Sequence, residues 1–132
     1  MSQLNWFEIL GWNDQYLENL RATAFLYIRQ GKYEIAKEIF HTLSICNPNN
    51  VFDLQTLGSI YLQDNQTALA LAYLEKAKKL DPSNFTVRIN HIKAMLSLGY
   101  RNEALPLIES FIKTCPDPYM VSDAEALLLA YR

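Results

Sequence analysis

The sequence predicts an all-α superhelix of three stacked helix-turn-helix repeats, with a short helical segment at each end. Three observations carry this. The first is a period of 34 residues: Pro48, Pro82 and Pro116 keep that step, and so do Ala36, Ala70 and Ala104. The second is that aromatic and apolar residues return at fixed phases within the period, as Tyr27, Tyr61 and Met95, and as Phe40, Leu74 and Ile108. The third is a turn residue at the same step, Gly31, Asn65 and Gly99. A unit of this length cannot bury its own hydrophobic face, so copies must stack to share one.

Bulk properties narrow the classes. A length of 132 residues, half of them apolar, fits one domain with a real core. We read 1–16 as an N-terminal helix, 17–50, 51–84 and 85–118 as the repeats, and 119–132 as a capping helix. The net charge is −2, with both signs spread through every repeat. Without a basic block, nucleic acid is not an expected partner. No run is long and apolar enough for a membrane span. The first residues are apolar but lack a basic stretch and carry Glu8, so they do not read as a signal peptide. Cys46 and Cys115, two lone thiols at the ends of second helices, point to a reduced, cytoplasmic compartment.

The elements follow in order. Residues 3–11 predict a short amphipathic helix, with Trp6, Ile9 and Leu10 on one face. A helix that short is unstable alone and must dock. Either it packs on the first repeat, or Trp6, Phe7, Leu10 and Trp12 join an interface with a partner or a second copy. Gly11 and Asn13 then break it, and Asp14 is expected to cap the next helix. Repeat one predicts helices over 15–29 and 33–46, with Gly31 making the turn between them. Ala24 and Ala36 are small where these helices cross. Pro48 stops the second helix. In repeat two, Leu54, Leu57, Gly58 and Tyr61 line the inner side of the first helix, and Thr67 is expected to cap the second. In repeat three, Arg88, His91 and Ile92 stand where repeat two has Leu54, Leu57 and Gly58. Pro106 falls early in that repeat's second helix, to be absorbed by its first turns or by a mild kink.

Stacked hairpins curve around a concave face, and in the tetratricopeptide repeat, which this 34-residue period resembles, that face is lined by the first helices. Counting from residues 17, 51 and 85, the second, fifth, ninth and twelfth positions face that groove. They are Glu18, Arg21, Phe25 and Ile28; Phe52, Gln55, Ser59 and Leu62; Thr86, Ile89, Lys93 and Leu96. Six of these are apolar where solvent exposure would otherwise be expected. An apolar groove with a polar fringe suits a peptide with spaced hydrophobic anchors.

The 34-residue pattern is that of the tetratricopeptide repeat. Within that class, carboxylate-clamp domains that bind acidic chaperone tails place asparagines and basic residues in the groove. Here those positions hold Arg21, Phe25, Phe52 and Thr56, and the pattern is missing. The chain instead resembles the small tetratricopeptide chaperones of bacterial type III secretion. The resemblance rests on the stretch from Leu20 to Leu43, on Leu-Gly-Ser-Ile-Tyr-Leu-Gln at 57–63, and on three repeats between terminal helices. It implies a cytoplasmic, non-enzymatic protein that shields a secretion substrate, either a membrane-inserting translocator or the needle subunit. In the needle branch it implies a small helical co-chaperone at the N-terminal helices. The short ends fit that branch somewhat better, and Arg21 departs from the aromatic residue expected in the translocator branch. A general assembly scaffold is the alternative.

Nothing in the sequence predicts catalysis or a cofactor. The four glycines are scattered and form no phosphate loop. His41 and His91 lack cysteines or carboxylates at metal-ligand spacing, and His91 reads as a packing residue.

Overall fold

The computed structural model describes residue 11 and residues 13–132. The expected helix over 3–11 and the residues Trp6, Phe7, Leu10 and Trp12 lie outside the described residues. Those described form seven helices: α1 (Asp14–Arg29), α2 (Tyr33–Cys46), α3 (Val51–Gln63), α4 (Thr67–Leu80), α5 (Phe85–Ser97), α6 (Arg101–Thr114) and α7 (Pro118–Tyr131). None is long and apolar enough to cross a membrane.

The three hairpin turns share one construction. Gly31, Asn65 and Gly99 have φ of 76°, 59° and 91°. This left-handed step lets the next amide turn back onto the helix just left. Lys32 N–H donates to Tyr27 O at 2.8 Å, Gln66 to Tyr61 at 2.9 Å and Tyr100 to Met95 at 2.9 Å. The same three residues open the following helices, and none caps with its side chain. The closing bond of one helix and the start of the next thus fall on one residue. This corrects the expected cap at Thr67, which is the first helical residue of α4. Asn13, not Asp14, caps α1 by accepting from Tyr16 N–H. Asp14 sits in the first turn, where a carboxylate favours the positive end of the helix dipole.

Pro106 lies in the second turn of α6, later than the tolerated first turn, yet the helix runs on to Thr114. Both Pro106 and Asn102, whose carbonyl loses its usual donor, are on the exposed face. Water can satisfy that carbonyl.

Packing follows the repeat phases. Ala24, Ala36, Ala70 and Ala104 are fully buried, so backbones approach where these helices meet. One core joins repeats one and two around Phe40, Leu43, Leu57 and Leu74. A second joins repeat three to α7 around Ile92, Ile108, Phe111 and Ala124. Leu54, Ala77 and Val87 connect α3, α4 and α5. Helix α5 is enclosed, packing against α3, α4, α6 and α7. The backbones of α1 and α3 stay apart, and the two helices meet through side chains.

Candidate functional site

The gap between α1 and α3 is an apolar hollow. Its centre is a cluster of three aromatic rings. Phe40 of α2 is fully buried at the base. Phe25 of α1 sits edge-on to it at 5.9 Å, and Phe52 of α3 lies 5.3 Å from Phe25. Phe25 and Phe52 are 38% and 44% exposed, although each rests on a packed neighbour. Exposed aromatic surface held in place by a rigid base is the form of a binding anchor.

Three adjoining hollows share Phe52. The first, about 280 Å³, is lined by Phe25, Ile28, Phe52, Gln55 and Ser59, with Tyr33, Thr56, Ile60 and Gln63. The second, about 330 Å³, is bordered by Glu18, Arg21, Ala22 and Asn50 beside the two phenylalanines. The third, about 300 Å³, continues along Val51, Phe52, Gln55, Asn84 and Thr86 toward α5. Together they make a trough across the first helices of repeats one and two.

Polar groups in the trough are largely bonded to one another. Gln55 Nε2 donates to Ser59 Oγ at 2.9 Å, and Asn90 Nδ2 donates to the same oxygen at 3.1 Å. The Thr56 hydroxyl donates to Phe52 O at 2.7 Å. Arg21 is buried, and its guanidinium is fully engaged. Nε and Nη2 donate to the two carboxylate oxygens of Asp53, at 2.6 and 2.8 Å, and Nη1 donates to Glu18. The Asp53 hydrogen bonds raise the Arg21 pKa against the opposing effect of burial. Asp53 is itself fully buried, so this pair ties α1 to α3 beneath the trough.

The structure divides the sequence-derived groove residues. Phe25, Ile28, Phe52, Gln55 and Ser59 come together in the first hollow, with Arg21 beside them in the second. Leu62 is half-buried against the core of repeats one and two and does not line the hollows. Ile89 and Leu96 are 5% and 4% exposed, within the core of repeat three. This corrects their assignment to the groove: α5 has neighbours on both sides, so positions open on α1 are closed there. Lys93 stands half-exposed, 4.0 Å from Asp123 of α7. Counting first-helix positions missed Tyr33, which enters from α2, and Ile60 and Gln63, which face the α1 side of α3; Thr56, named only in the comparison with the carboxylate clamp, also lines the hollow. It also missed Asp53, whose partner lies 32 residues away on another helix. Among the described residues, no group of three or more His, Cys, Asp or Glu could hold a metal ion.

Six helices paired by three left-handed turns, a seventh closing the stack, and a concave apolar trough between α1 and α3 define a tetratricopeptide-type superhelix. Comparison with known proteins agrees at the level of fold. The tetratricopeptide repeat family model matches residues 54–84. Among curated proteins, anaphase-promoting complex subunit 3 of Schizosaccharomyces pombe is 27% identical over 92 residues. That match covers 70% of this chain but only 14% of the relative's length. Among solved structures, the Yersinia enterocolitica type III secretion chaperone SycD, in complex with a peptide of the translocator YopD, is 20% identical with a TM-score of 0.81. The match covers 90% of this chain and 94% of that one. The first tetratricopeptide domain of Spaghetti (RPAP3), bound to the HSP90 peptide SRMEEVD, is 21% identical with a TM-score of 0.79. That match covers 90% of this chain and 92% of the other.

Proposed function

We propose that this chain is a type III secretion chaperone that holds an aggregation-prone secretion substrate, a needle subunit or a translocator, by an apolar segment laid in the α1–α3 trough. The observation that carries this is the pair Phe25 and Phe52, half-exposed yet fixed on the buried ring of Phe40. With 38% and 44% of their surface left to cover, burying these two anchors contributes about 1 kcal/mol each before ordering costs, which gives readily releasable binding. The likeness to SycD, seen with a translocator peptide, supports the same reading.

The trough chemistry argues against an acidic tail of the SRMEEVD kind. A clamp for such a tail needs free cations, and the one arginine at the second hollow already serves Asp53 and Glu18. The cargo segment is therefore apolar or aromatic and carries little negative charge. Holding it in the bacterial cytoplasm until export is the role this implies. Assembly on a scaffold remains the competing use of the same trough.

The test is co-expression with candidate secretion substrates encoded nearby, followed by pull-down. The wild-type chain should keep one of them in solution. Phe25→Glu and Phe52→Glu should each weaken capture at least tenfold with an unchanged helical circular dichroism spectrum. Capture undiminished in both variants would remove the trough from the account.

A further inference from the structure

Helix α7 stands where the first helix of a fourth repeat would stand: Tyr119 follows Leu17, Val51 and Phe85 at the 34-residue step. Helices α1, α3 and α5 are each followed by a second helix that packs against them. Among the described residues α7 has neighbours on one side only, α6 and α5 of the preceding repeat. Toward these it turns Val121, Ala124, Leu127 and Leu128. Tyr119, Ser122, Ala126 and Leu129, about one turn apart along the other side, are all exposed. We propose that this open face of α7 docks an amphipathic helix of a partner polypeptide, which packs on α7 as α2, α4 and α6 pack on the helices before them. The partner helix is separate from the segment laid in the trough.

The first support is continuity with an interface that the chain builds three times. One, two and three periods before Tyr119, Ser122, Ala126 and Leu129, every counterpart in α1, α3 and α5 is buried or half-buried. Ala126 answers to Ala24, Gly58 and Ile92, and Leu129 to Tyr27, Tyr61 and Met95. In repeat two these positions meet the second helix directly. A methyl group on Gly58 would touch Leu74 of α4, and Tyr61 stacks on Tyr73 of α4 at 5.5 Å. On α7 the same face is left to solvent, with Tyr119 85% and Leu129 75% exposed. The end of a stack is expected to present a polar outer face. A tyrosine, an alanine and a leucine around one serine do not make one.

The repeated interface also defines the occupant. Ala36, Ala70 and Ala104 are fully buried where the hairpin helices meet, and four residues later so are Phe40, Leu74 and Ile108. A helix that fits α7 therefore carries a small residue with a large apolar one four positions on, on a single face. Charge narrows the choice. Asp123 and Glu125 are exposed beside the open face, and α7 has no lysine or arginine from Pro118 to Tyr131. Lys93 of α5 pairs with Asp123 at 4.0 Å, and Glu125 has no ion pair among the described residues. The partner helix thus bears lysine or arginine along its apolar stripe. A second copy would bring the same two carboxylates to the contact, and like charges across an interface oppose pairing.

The experiment uses the full chain and a probe that copies its own second-helix pattern: a fluorescent peptide of residues 66–81, which carries Ala70 and Leu74 with Lys76 and Lys78. A helix this short is marginal alone, so a lactam between Glu75 and Lys79, both exposed in the protein, holds it helical. Fluorescence anisotropy should show saturable binding to the wild-type chain. Leu129→Glu in the chain should weaken it about tenfold or more, the scale of a lost interface anchor, and so should Leu74→Glu in the peptide. Phe25→Glu should leave it unchanged. Leu129 is exposed, so its variant is expected to fold. No saturable binding, binding indifferent to Leu129→Glu, or binding lost with Phe25→Glu would overturn the proposal. Sedimentation of the chain alone checks the remaining occupant. A dimer that Leu129→Glu dissociates would assign the face to a second copy and overturn the proposal as well. Each of these failures leaves the trough reading to its own test.

Discussion

Arg21 shows how little a residue's type reveals about its place. By position and charge it reads as a groove residue, but the structure commits it to Asp53 in a buried, two-pronged ion pair. The pair works because each partner satisfies the other where water is excluded. Taking away Arg21 leaves the fully buried carboxylate of Asp53 uncompensated, at a cost of about 3–5 kcal/mol. Arg21→Ala should therefore lower the urea midpoint sharply. Replacing both residues with apolar ones, Arg21→Met with Asp53→Leu, should recover most of the loss. A neutral Arg21→Ala would mean that the pair does not join α1 to α3. The sequence could not show this contact, because nothing in the 34-residue phase relates position 21 to position 53.

At the scale of the element, the turns were the most legible part of the chain. Gly31, Asn65 and Gly99 announce a left-handed step every 34 residues, and the structure places that step at all three. Local backbone chemistry decides such a feature, so local sequence reveals it. Close helix packing is legible in the same way at Gly58. A methyl group there would meet Leu74 Cγ at 2.6 Å and Cδ2 at 2.8 Å, and Leu74 is fully buried. Gly58→Ala gains helix propensity, but the clash prevails, and overpacking of this kind costs about 1–3 kcal/mol. Thermal unfolding should show a net loss of stability, and a gain would mean that α3 and α4 can separate freely. The burial of Ile89 and Leu96 was not legible. Position counting treats α1, α3 and α5 as equivalent, yet α5 has α3 on one side and α7 on the other. Which first helix lies open depends on the ends of the stack, and a repeat phase carries no information about ends.

For the whole molecule, this asymmetry turns a general superhelix into a directional one. Repeat three and α7 share a closed core, while repeats one and two leave a trough over a rigid aromatic base. Large apolar side chains are also exposed elsewhere. Tyr119 and Leu129 of α7 are 85% and 75% exposed, more than either phenylalanine of the trough. Exposure alone therefore does not identify the binding face. The distinction is support: Phe25 and Phe52 stand on Phe40 within concave walls. The most direct test places a photo-activated cross-linking residue at Phe25, Phe52 or Tyr119, one site at a time, in cells co-expressing the proposed cargo. The account predicts covalent capture of the substrate from positions 25 and 52 and none from 119. Capture from 119 with none from 25 or 52 would contradict it.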